Sequence, residues 1–377
     1  MNVTELSQLE TPRVLLDHAR LVRNIEWAQA LAQRHQLTLR PHIKTHKSLE
    51  IAKMQLSHGA SGITCAKPDE ALVFIRNGVP SVTVAYPVIH PAKLERLLGA
   101  ARENATDLRM VVDSEENVSA LSDAAGKSGM VIPVYVEIDV GLHRCGVRED
   151  EPRLVPLVKS VVDSDVLRFV GLLSHAGHAY GASGEEEARR IARRECEQMN
   201  RIQHLLSRHR IPVQEVSIGS TPTILANDSY AGITELRPGN YVFMDLLPLR
   251  LHLIKADQIA LSILATVVSA NTDFFIIDAG SKVLSSDSGA HGTSSAAGYG
   301  VAFELMDYEA QQKPLSVTRL SEEHGFVQRD GRHLKVGSLL RILPNHACPV
   351  ANLAESYLVM KKGKPETWKV DARARVL

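Results

Sequence analysis

The first 250 residues alternate between two hydrophobic patterns, and this alternation constrains the fold more than any other feature of the sequence. Short runs of β-branched and apolar residues, typical of buried strands, are mostly followed by longer charged segments of helical period. The predicted strands are residues 37–40, 62–66, 81–86, 108–113, 133–139, 169–175, 215–219 and 234–236. The predicted helices include residues 21–33, 47–58, 69–77, 91–104, 115–125, 152–162 and 184–209.

Eight strand–helix units within about 200 to 250 residues match the size of a (β/α)8 barrel. The competing architecture is a doubly wound open sheet, which normally carries a glycine-rich turn after its first strand. Here the first predicted strand is followed by PHIKTHK at 41–47, which contains no glycine. The sequence therefore favours an α/β fold in which residues 13–250 form the barrel.

After about Arg250 the pattern changes to strands joined by turn-rich segments, and helical period becomes scarce. Strands are predicted at 259–268, 274–279, 316–320, 339–343 and 357–361. We expect residues 251–377 to form a smaller β-rich domain, which residues 1–12 join.

Composition narrows the class of protein. The chain has 377 residues, of which 44% are hydrophobic, so it can bury a core. Lysine plus arginine and aspartate plus glutamate both total 43, and this balance argues against a nucleic-acid binder. No apolar stretch reaches about 18 residues, so no membrane span is expected. The polar N-terminus lacks signal-peptide character, and four cysteines are too few for a disulfide scaffold. We expect a cytoplasmic protein with free thiols.

Two loops indicate an anion pocket. Active sites of (β/α)8 barrels lie at the carboxyl ends of the strands, and phosphate is often bound after strands seven and eight. The loops at these two places contain Gly219, Ser220 and Thr221, and Gly239, Asn240 and Tyr241. Their N–H groups and hydroxyls could surround a phosphate. Ordinary turns remain the alternative, since glycine, serine and asparagine favour turns.

Lys44 follows the first predicted strand, close to His42, His46 and Lys47. A lysine inside a barrel mouth is desolvated and has cationic neighbours, so its pKa should fall and its amine should become nucleophilic. An amine of this kind beside a phosphate pocket points to pyridoxal 5′-phosphate (PLP). The alternative is an ordinary surface lysine in a loop.

Seven segments in order carry a family resemblance. They are RPHIKTHK at 40–47, EIDVGLHRCG at 137–146, SHAGHAY at 174–180, SIGSTP at 217–222, ELRPGNYVF at 235–243, SEEHG at 321–325 and PNHACP at 344–349. Over nearly its full length the chain resembles the D-threonine aldolase and D-serine dehydratase family. These are PLP enzymes of the alanine-racemase-like class, called fold type III.

The resemblance implies roles for individual residues. Lys44 would bind the cofactor covalently and act as catalytic base, Arg144 would face its phenolate oxygen, and His175 would pack near its ring. The phosphate would be lined by Gly219, Ser220, Thr221, Gly239, Asn240 and Tyr241. Tyr180 is placed with the cofactor-binding residues, and with His178 and His324 it is a candidate for orienting substrate. An arginine related to Arg237 contacts the pyridine nitrogen in alanine racemases, but its role here stays open. The family also implies a homodimer.

His346 and Cys348 form a candidate metal pair. Two residues apart in a strand, their side chains would share a face, and imidazole with thiolate suits Zn²⁺. The alternative is a buried cysteine beside a histidine in a turn. The resemblance implies a metal at this place, with Mn²⁺ or Mg²⁺ as other candidates. D-threonine aldolases typically carry His-x-Asp here and the dehydratases His-x-Cys, so Cys348 favours a dehydratase.

The expected function is a PLP- and metal-dependent dehydratase. It would convert a D-configured β-hydroxy amino acid, such as D-serine, D-threonine or D-threo-3-hydroxyaspartate, to a 2-oxo acid and ammonia. One alternative is the aldolase reaction, which yields glycine and an aldehyde. Others are an amino-acid racemase and a non-catalytic PLP-binding protein. Which substrate is preferred depends on the shape of the pocket.

Overall fold

Two sheets organise the chain, and the computed structural model describes them over residues 3–287, 289, 297–361 and 364–377. The chain begins with a short helix, α1 (Val3–Leu6), and a strand, β1 (Arg13–Asp17). β1 pairs antiparallel with β10 (Leu261–Ala270) and parallel with β16 (Ser356–Lys361). The first strand of the protein therefore belongs to the sheet built mainly by its C-terminal third.

The second set of strands, from β2 onward, forms a parallel barrel. Its strands are β2 (Thr38–Leu39), β3 (Ile63–Cys65), β4 (Ser81–Val84), β5 (Asp107–Val112), β6 (Ile132–Ile138), β7 (Leu167–Ser174), β8 (Glu215–Ile218) and β9 (Glu235–Leu236). They lie in the order β2-β9-β8-β7-β6-β5-β4-β3. A bridge between His42 and Thr64, with the Thr64 N–H 2.8 Å from the Pro41 carbonyl oxygen, joins the two end strands. The predicted barrel is confirmed.

Helices alternate with these strands as the periodicity predicted. They are α2 (His18–Arg34), α3 (Leu49–Ser57), α4 (Pro68–Arg76), α5 (Pro91–Glu103), α6 (Glu115–Ser128), α7 (Leu154–Val162), α8 (Glu185–Arg208), α9 (Thr221–Ala226) and α10 (Leu246–Arg250). Their bounds follow local chemistry. The Ser114 side chain accepts the Asn117 N–H at the start of α6, and Gly129 ends that helix with a left-handed φ of 67°. No helix of the described residues is both long and apolar enough to cross a membrane.

The remaining strands complete a mostly antiparallel sheet, so the predicted β-rich domain is confirmed. They are β11 (Phe274–Ile277), β12 (Gly300–Glu304), β13 (Leu315–Leu320), β14 (Gly325–Gln328), β15 (Leu339–Pro344) and β17 (Lys364–Lys369), and two helices, α11 (Ser281–Leu284) and α12 (Ala347–Leu353), accompany them. The strand order is β11-β14-β13-β12-β15-β10-β1-β16-β17. β10 also pairs with β11.

The position of β1 corrects the expected barrel range of 13–250, because its five residues lie in the other sheet. Val14, Leu15 and Leu16 are all buried, since β1 has a partner strand on each side and is covered on both faces. Within the expected segment 1–12, Leu6 packs against Leu15 and Leu264 of this same sheet. The chain thus enters the second sheet first and the barrel afterwards.

Candidate active site

A cavity of ≈ 330 Å³ lies at the carboxyl ends of the barrel strands, where the second domain covers them. This is the end of a barrel at which active sites are found, and the volume suits a small ligand. Its walls come from four barrel loops, those after β2, β7, β8 and β9, and from the second domain. The residues around it are His42, Lys44, Thr45, His175, Tyr180, Ser220, Thr221, Arg237, Gly239, Asn240, Asp287, His346, Cys348 and Pro349.

Lys44 occupies a single 3₁₀ turn, Ile43–Thr45, immediately after β2. Burial lowers the pKa of its amine, the Cys348 charge acts in the opposite direction, and Arg144 adds to the lowering. The net effect favours a neutral amine at a lower pH than for an exposed lysine. This agrees with the nucleophilic lysine that the sequence predicts.

His42 precedes Lys44 and borders the same cavity. Burial, and then the neighbouring Lys44 and Arg237 charges, hold the pKa of His42 well below its usual value. Its Nδ1 lies 3.4 Å from the Lys44 backbone N–H, which it accepts. A neutral imidazole therefore caps the turn that presents the lysine.

Backbone donors meet at the wall formed by the loops after β8 and β9. Among the described residues, the N–H groups of Gly239 and Asn240 have no hydrogen-bond acceptor. A Cβ on Gly239 would lie only 2.9 Å from Thr45 Oγ1 and 3.0 Å from the His42 carbonyl oxygen. Only glycine lets these chain segments approach so closely. The arrangement fits an anionic group held by main-chain N–H groups.

Arg237 is buried beside this wall. Its Nη1 donates to Ser217 Oγ at 2.7 Å and its Nη2 to the Ser174 carbonyl oxygen at 2.6 Å. Its Nε has no partner within the part of the chain that the structure describes. One N–H of a fixed guanidinium is thus left without a partner in a residue that borders the cavity.

His346 and Cys348 face the same cavity, but not from a strand as the sequence suggested. β15 ends at Pro344, so His346 is the N-cap of α12 and Cys348 lies in its first turn. Burial acts to lower the pKa of His346, yet the Cys348 charge and the Asp287 carboxylate raise it to about 10. Burial also acts to raise the pKa of Cys348, but His346 and Thr45 together lower it. The Cys348 thiol therefore ionises at a lower pH than an ordinary thiol, which suits a metal ligand.

Asp245 ties the two halves of the site together. Its Oδ2 accepts both Asn240 Nδ2 and the Ala347 backbone N–H, each at 2.9 Å. Asn240 belongs to the barrel wall and Ala347 to the metal-pair helix. Sequence patterns did not indicate Asp245 or Asp287, because neither lies in a recognisable motif. The local signal at Asp245 marks only the start of α10.

The structure brings together most of the predicted site residues. Lys44, His175, Tyr180, Ser220, Thr221, Gly239, Asn240, His346 and Cys348 border the cavity. Three others do not border it: Arg144, Gly219 and Tyr241. Arg144 is exposed in the loop after β6, so its contact with a cofactor stays a prediction. The Gly219 carbonyl oxygen lies 3.2 Å from Nδ1 of His175, and the Tyr241 hydroxyl accepts Gln55 Nε2 at 2.9 Å.

The three residues suggested for orienting substrate lie in different surroundings. The Tyr180 hydroxyl is hydrogen-bonded to Thr221, and burial raises its pKa well above the usual value. His178 stands beside Gly141, where an added Cβ would lie 3.2 Å from the His178 ring. His324 is exposed at a turn, where its N–H donates to Ser321 Oγ. Tyr180 is the member of this group that borders the cavity.

Comparisons with known proteins agree with this geometry. The family model described as "Alanine racemase, N-terminal domain" matches residues 16–246, and "Putative serine dehydratase domain" matches residues 260–360. The chain is 34% identical to the D-threo-3-hydroxyaspartate dehydratase of Delftia sp. (strain HT23), over 97% of this chain and 98% of the relative. It is 32% identical to the 3-hydroxy-D-aspartate aldolase of Paracoccus denitrificans (strain Pd 1222), over 98% and 93%. A solved D-threo-3-hydroxyaspartate dehydratase, a cysteine-to-alanine mutant in the metal-free form, superposes with a TM-score of 0.88 at 33% identity, covering 97% of this chain and 98% of that one.

Proposed function

Because this chain belongs to the alanine-racemase-like family that includes D-threo-3-hydroxyaspartate dehydratase, D-serine dehydratase and D-threonine aldolase, we propose that it is a PLP- and divalent-metal-dependent dehydratase of D-configured β-hydroxy amino acids. The α-proton and β-hydroxyl of the substrate leave as water, and hydrolysis of the enamine yields a 2-oxo acid and ammonia. One observation carries the proposal: a histidine–cysteine pair and a half-buried lysine border the same cavity.

The residues at the cavity fit PLP. Lys44 offers an amine, Gly239 and Asn240 offer N–H groups for the phosphate, and Arg237 offers its unpartnered Nε for the ring nitrogen. Gly239 has no room for a Cβ because Thr45 and His42 stand against it, so the turn that carries Lys44 packs directly on the wall that would hold the phosphate. When bound, PLP supplies an electron sink for negative charge at the substrate Cα.

The residues of the chain supply the proton transfers and the orientation. Lys44 removes the Cα proton as general base, because burial favours its neutral form. Arg237 stays fixed by Ser217 and Ser174, so its Nε keeps one direction. The second domain covers the barrel mouth and limits the access of water to the reacting atoms.

His346 and Cys348 would hold a divalent ion, and the chemistry of these ligands favours Zn²⁺ over Mn²⁺ or Mg²⁺. Such an ion would supply Lewis-acid polarisation of the β-hydroxyl oxygen. Thr45 supports the thiolate, since its Oγ1 lies 3.3 Å from Cys348 Sγ.

The aldolase reaction is the second candidate, because relatives named aldolases are 32% identical over nearly the whole chain. Both reactions start from similar substrates, so the fold does not separate them. The thiolate of Cys348, in place of an aspartate, favours the dehydratase.

The test is a product assay on the PLP-loaded protein with D-serine, D-threonine and D-threo-3-hydroxyaspartate, each with and without EDTA. We expect a 2-oxo acid and ammonia, and loss of this product in EDTA. Lys44→Ala should lower kcat at least about 100-fold, since it removes the general base. Glycine and an aldehyde as main products would make the protein an aldolase. Neither product, with exchange of the Cα proton into heavy water, would indicate a racemase.

A further inference from the structure

We propose that Asp287 is a positioning residue of the metal site, whose carboxylate fixes the ring of His346 and thereby strengthens metal binding. This inference rests on the proposed metal-dependent function and adds to it a residue outside the His-x-Cys pair. It assigns a role to Asp287, which follows α11 and lies outside the motifs found in the sequence.

The contact between the two side chains is direct. Asp287 Oδ2 lies 2.9 Å from His346 Nδ1, and the His346 side chain is 15% exposed. The same ring is also hydrogen-bonded to Cys348. Because Asp287 accepts the proton of Nδ1, Nε2 is the nitrogen left for a metal, and it presents its lone pair once the proton that the charged imidazole carries there is released. A histidine must present such a lone pair to bind a metal.

The loop that carries Asp287 holds its carboxylate in place. The Asp287 N–H donates to Ser285 Oγ at 3.1 Å. Asp287 Oδ1 accepts the Gly289 N–H at 3.0 Å, while Oδ2 faces His346. The two oxygens thus have separate partners. One is used by the loop itself, and the other restrains the imidazole.

Asp287 acts through His346 and not as a third ligand. Within the described residues, no group of three histidine, cysteine, aspartate or glutamate side chains is arranged to hold one ion. A carboxylate hydrogen-bonded to a ligating imidazole fixes the tautomer and raises the basicity of the ligand. Removing such a partner typically weakens metal binding by about 10- to 100-fold.

The experiment measures Zn²⁺ affinity of the purified, PLP-loaded protein by competition with a chromogenic chelator, without any turnover. We expect Asp287→Ala to weaken Zn²⁺ binding by about 10- to 100-fold. Asp287→Asn should weaken it less, because its amide oxygen can still accept the Nδ1 proton. The matched controls are Asp273→Ala and Asp273→Asn. Asp273 is an exposed aspartate between β10 and β11, and its variants should bind Zn²⁺ like the parent protein.

Every outcome decides the question. Asp287→Ala with unchanged Zn²⁺ affinity and an unchanged circular dichroism spectrum would overturn the inference. Complete loss of binding, equal to that in His346→Ala, would make Asp287 a ligand and would also overturn it. A parent protein that binds no Zn²⁺ would instead contradict the metal site of the proposed function. The two failures are therefore distinguishable.

Discussion

Buried charges that share hydrogen bonds hold individual residues of the site in place. Ser217 Oγ accepts Arg237 Nη1 at 2.7 Å and donates to Glu235 Oε1 at 2.5 Å. Glu235 Oε2 accepts Arg40 Nε at 2.8 Å. One carboxylate thus serves two buried guanidinium groups, one directly and one through a hydroxyl. Replacing any one of these four residues should lower the stability of the protein, because a buried charge would be left without compensation.

Glu137 allows a test of pH dependence at the same scale. Burial, reinforced by Asp113 and opposed by Arg144, raises the pKa of Glu137 from 4.5 to about 7. The folded protein therefore keeps a proton that the unfolded chain releases from about pH 4.5 upward. This group lowers stability progressively between pH 4.5 and pH 7, and its full penalty applies above pH 7.

We expect Glu137→Gln to raise the free energy of unfolding relative to the parent protein more at pH 8 than at pH 5. The difference should be about 2 to 3 kcal/mol, from the size of the pKa shift. Urea unfolding of the PLP-loaded proteins at the two pH values measures it. Glu323→Gln, at an exposed glutamate, is the control and should show no such difference. An equal effect of Glu137→Gln at both pH values would contradict the raised pKa.

At the scale of elements, the barrel depends on close contact between β7 and β8. Gly171 in β7 pairs with Glu215 in β8, next to an irregularity in the pairing of β6 with β7. A Cβ on Gly171 would lie 1.8 Å from the Glu215 carbonyl oxygen. The backbones meet here without space for any side chain.

Gly171→Ala should lower the free energy of unfolding by about 3 kcal/mol, the upper end of the usual cost of overpacking. Gly99→Ala is the matched control. Gly99 lies within α5, and nothing stands within 4 Å of an added Cβ, so this change should stabilise the protein by up to about 1 kcal/mol. Thermal unfolding of both variants measures the contrast. Equal melting temperatures would show that β7 and β8 can move apart at little cost.

At the scale of the whole molecule, a three-residue ion pair joins the barrel to the second domain. Arg20 of α2 donates from Nη2 to Glu309 Oε2 at 2.5 Å, and Arg341 of β15 donates from Nη1 to Glu309 Oε1 at 3.2 Å. Both arginine side chains are buried, at 8% and 4% exposed, whereas that of Glu309 is 64% exposed. The guanidinium of Arg341 also stacks 3.6 Å from the centre of the Tyr308 ring.

Glu309→Ala should therefore destabilise the protein by about 1 to 2 kcal/mol, because two nearly buried guanidinium groups lose a shared carboxylate. Their other partners keep the effect below that of a fully buried pair, since Arg20 retains the Asp17 carboxylate at 3.4 Å and the Ile259 carbonyl oxygen, and Arg341 retains Ser262 Oγ. Glu95→Ala breaks an exposed pair with Lys127 and should change stability by less than about 0.5 kcal/mol. Urea unfolding compares the two. A loss no larger in Glu309→Ala than in this control would contradict the joining role.

Periodicity and local chemistry alone predicted the barrel. All eight of its strands and their order along the chain follow from the alternation of patterns, since period and turn residues are local properties. Strands with weak local signals were not predicted. β17, KPETWK, is mostly exposed and polar, and β1 runs directly into α2 at His18 with no turn between them. Because β1 was not predicted, the expected barrel range began five residues too early, at residue 13.

The sequence by itself determined the fold class and the candidate residues Lys44, His346 and Cys348, because each lies in a short motif with chemistry of its own. Only the tertiary structure decided how these residues are held. Asp287 and His346 are 59 positions apart, and Asp245 and Ala347 are 102 apart. No local pattern predicts such a contact, because the packing of the second domain over the barrel mouth creates it. The structure likewise places His346 and Cys348 at the start of α12 and not in the expected strand, since β15 ends at Pro344.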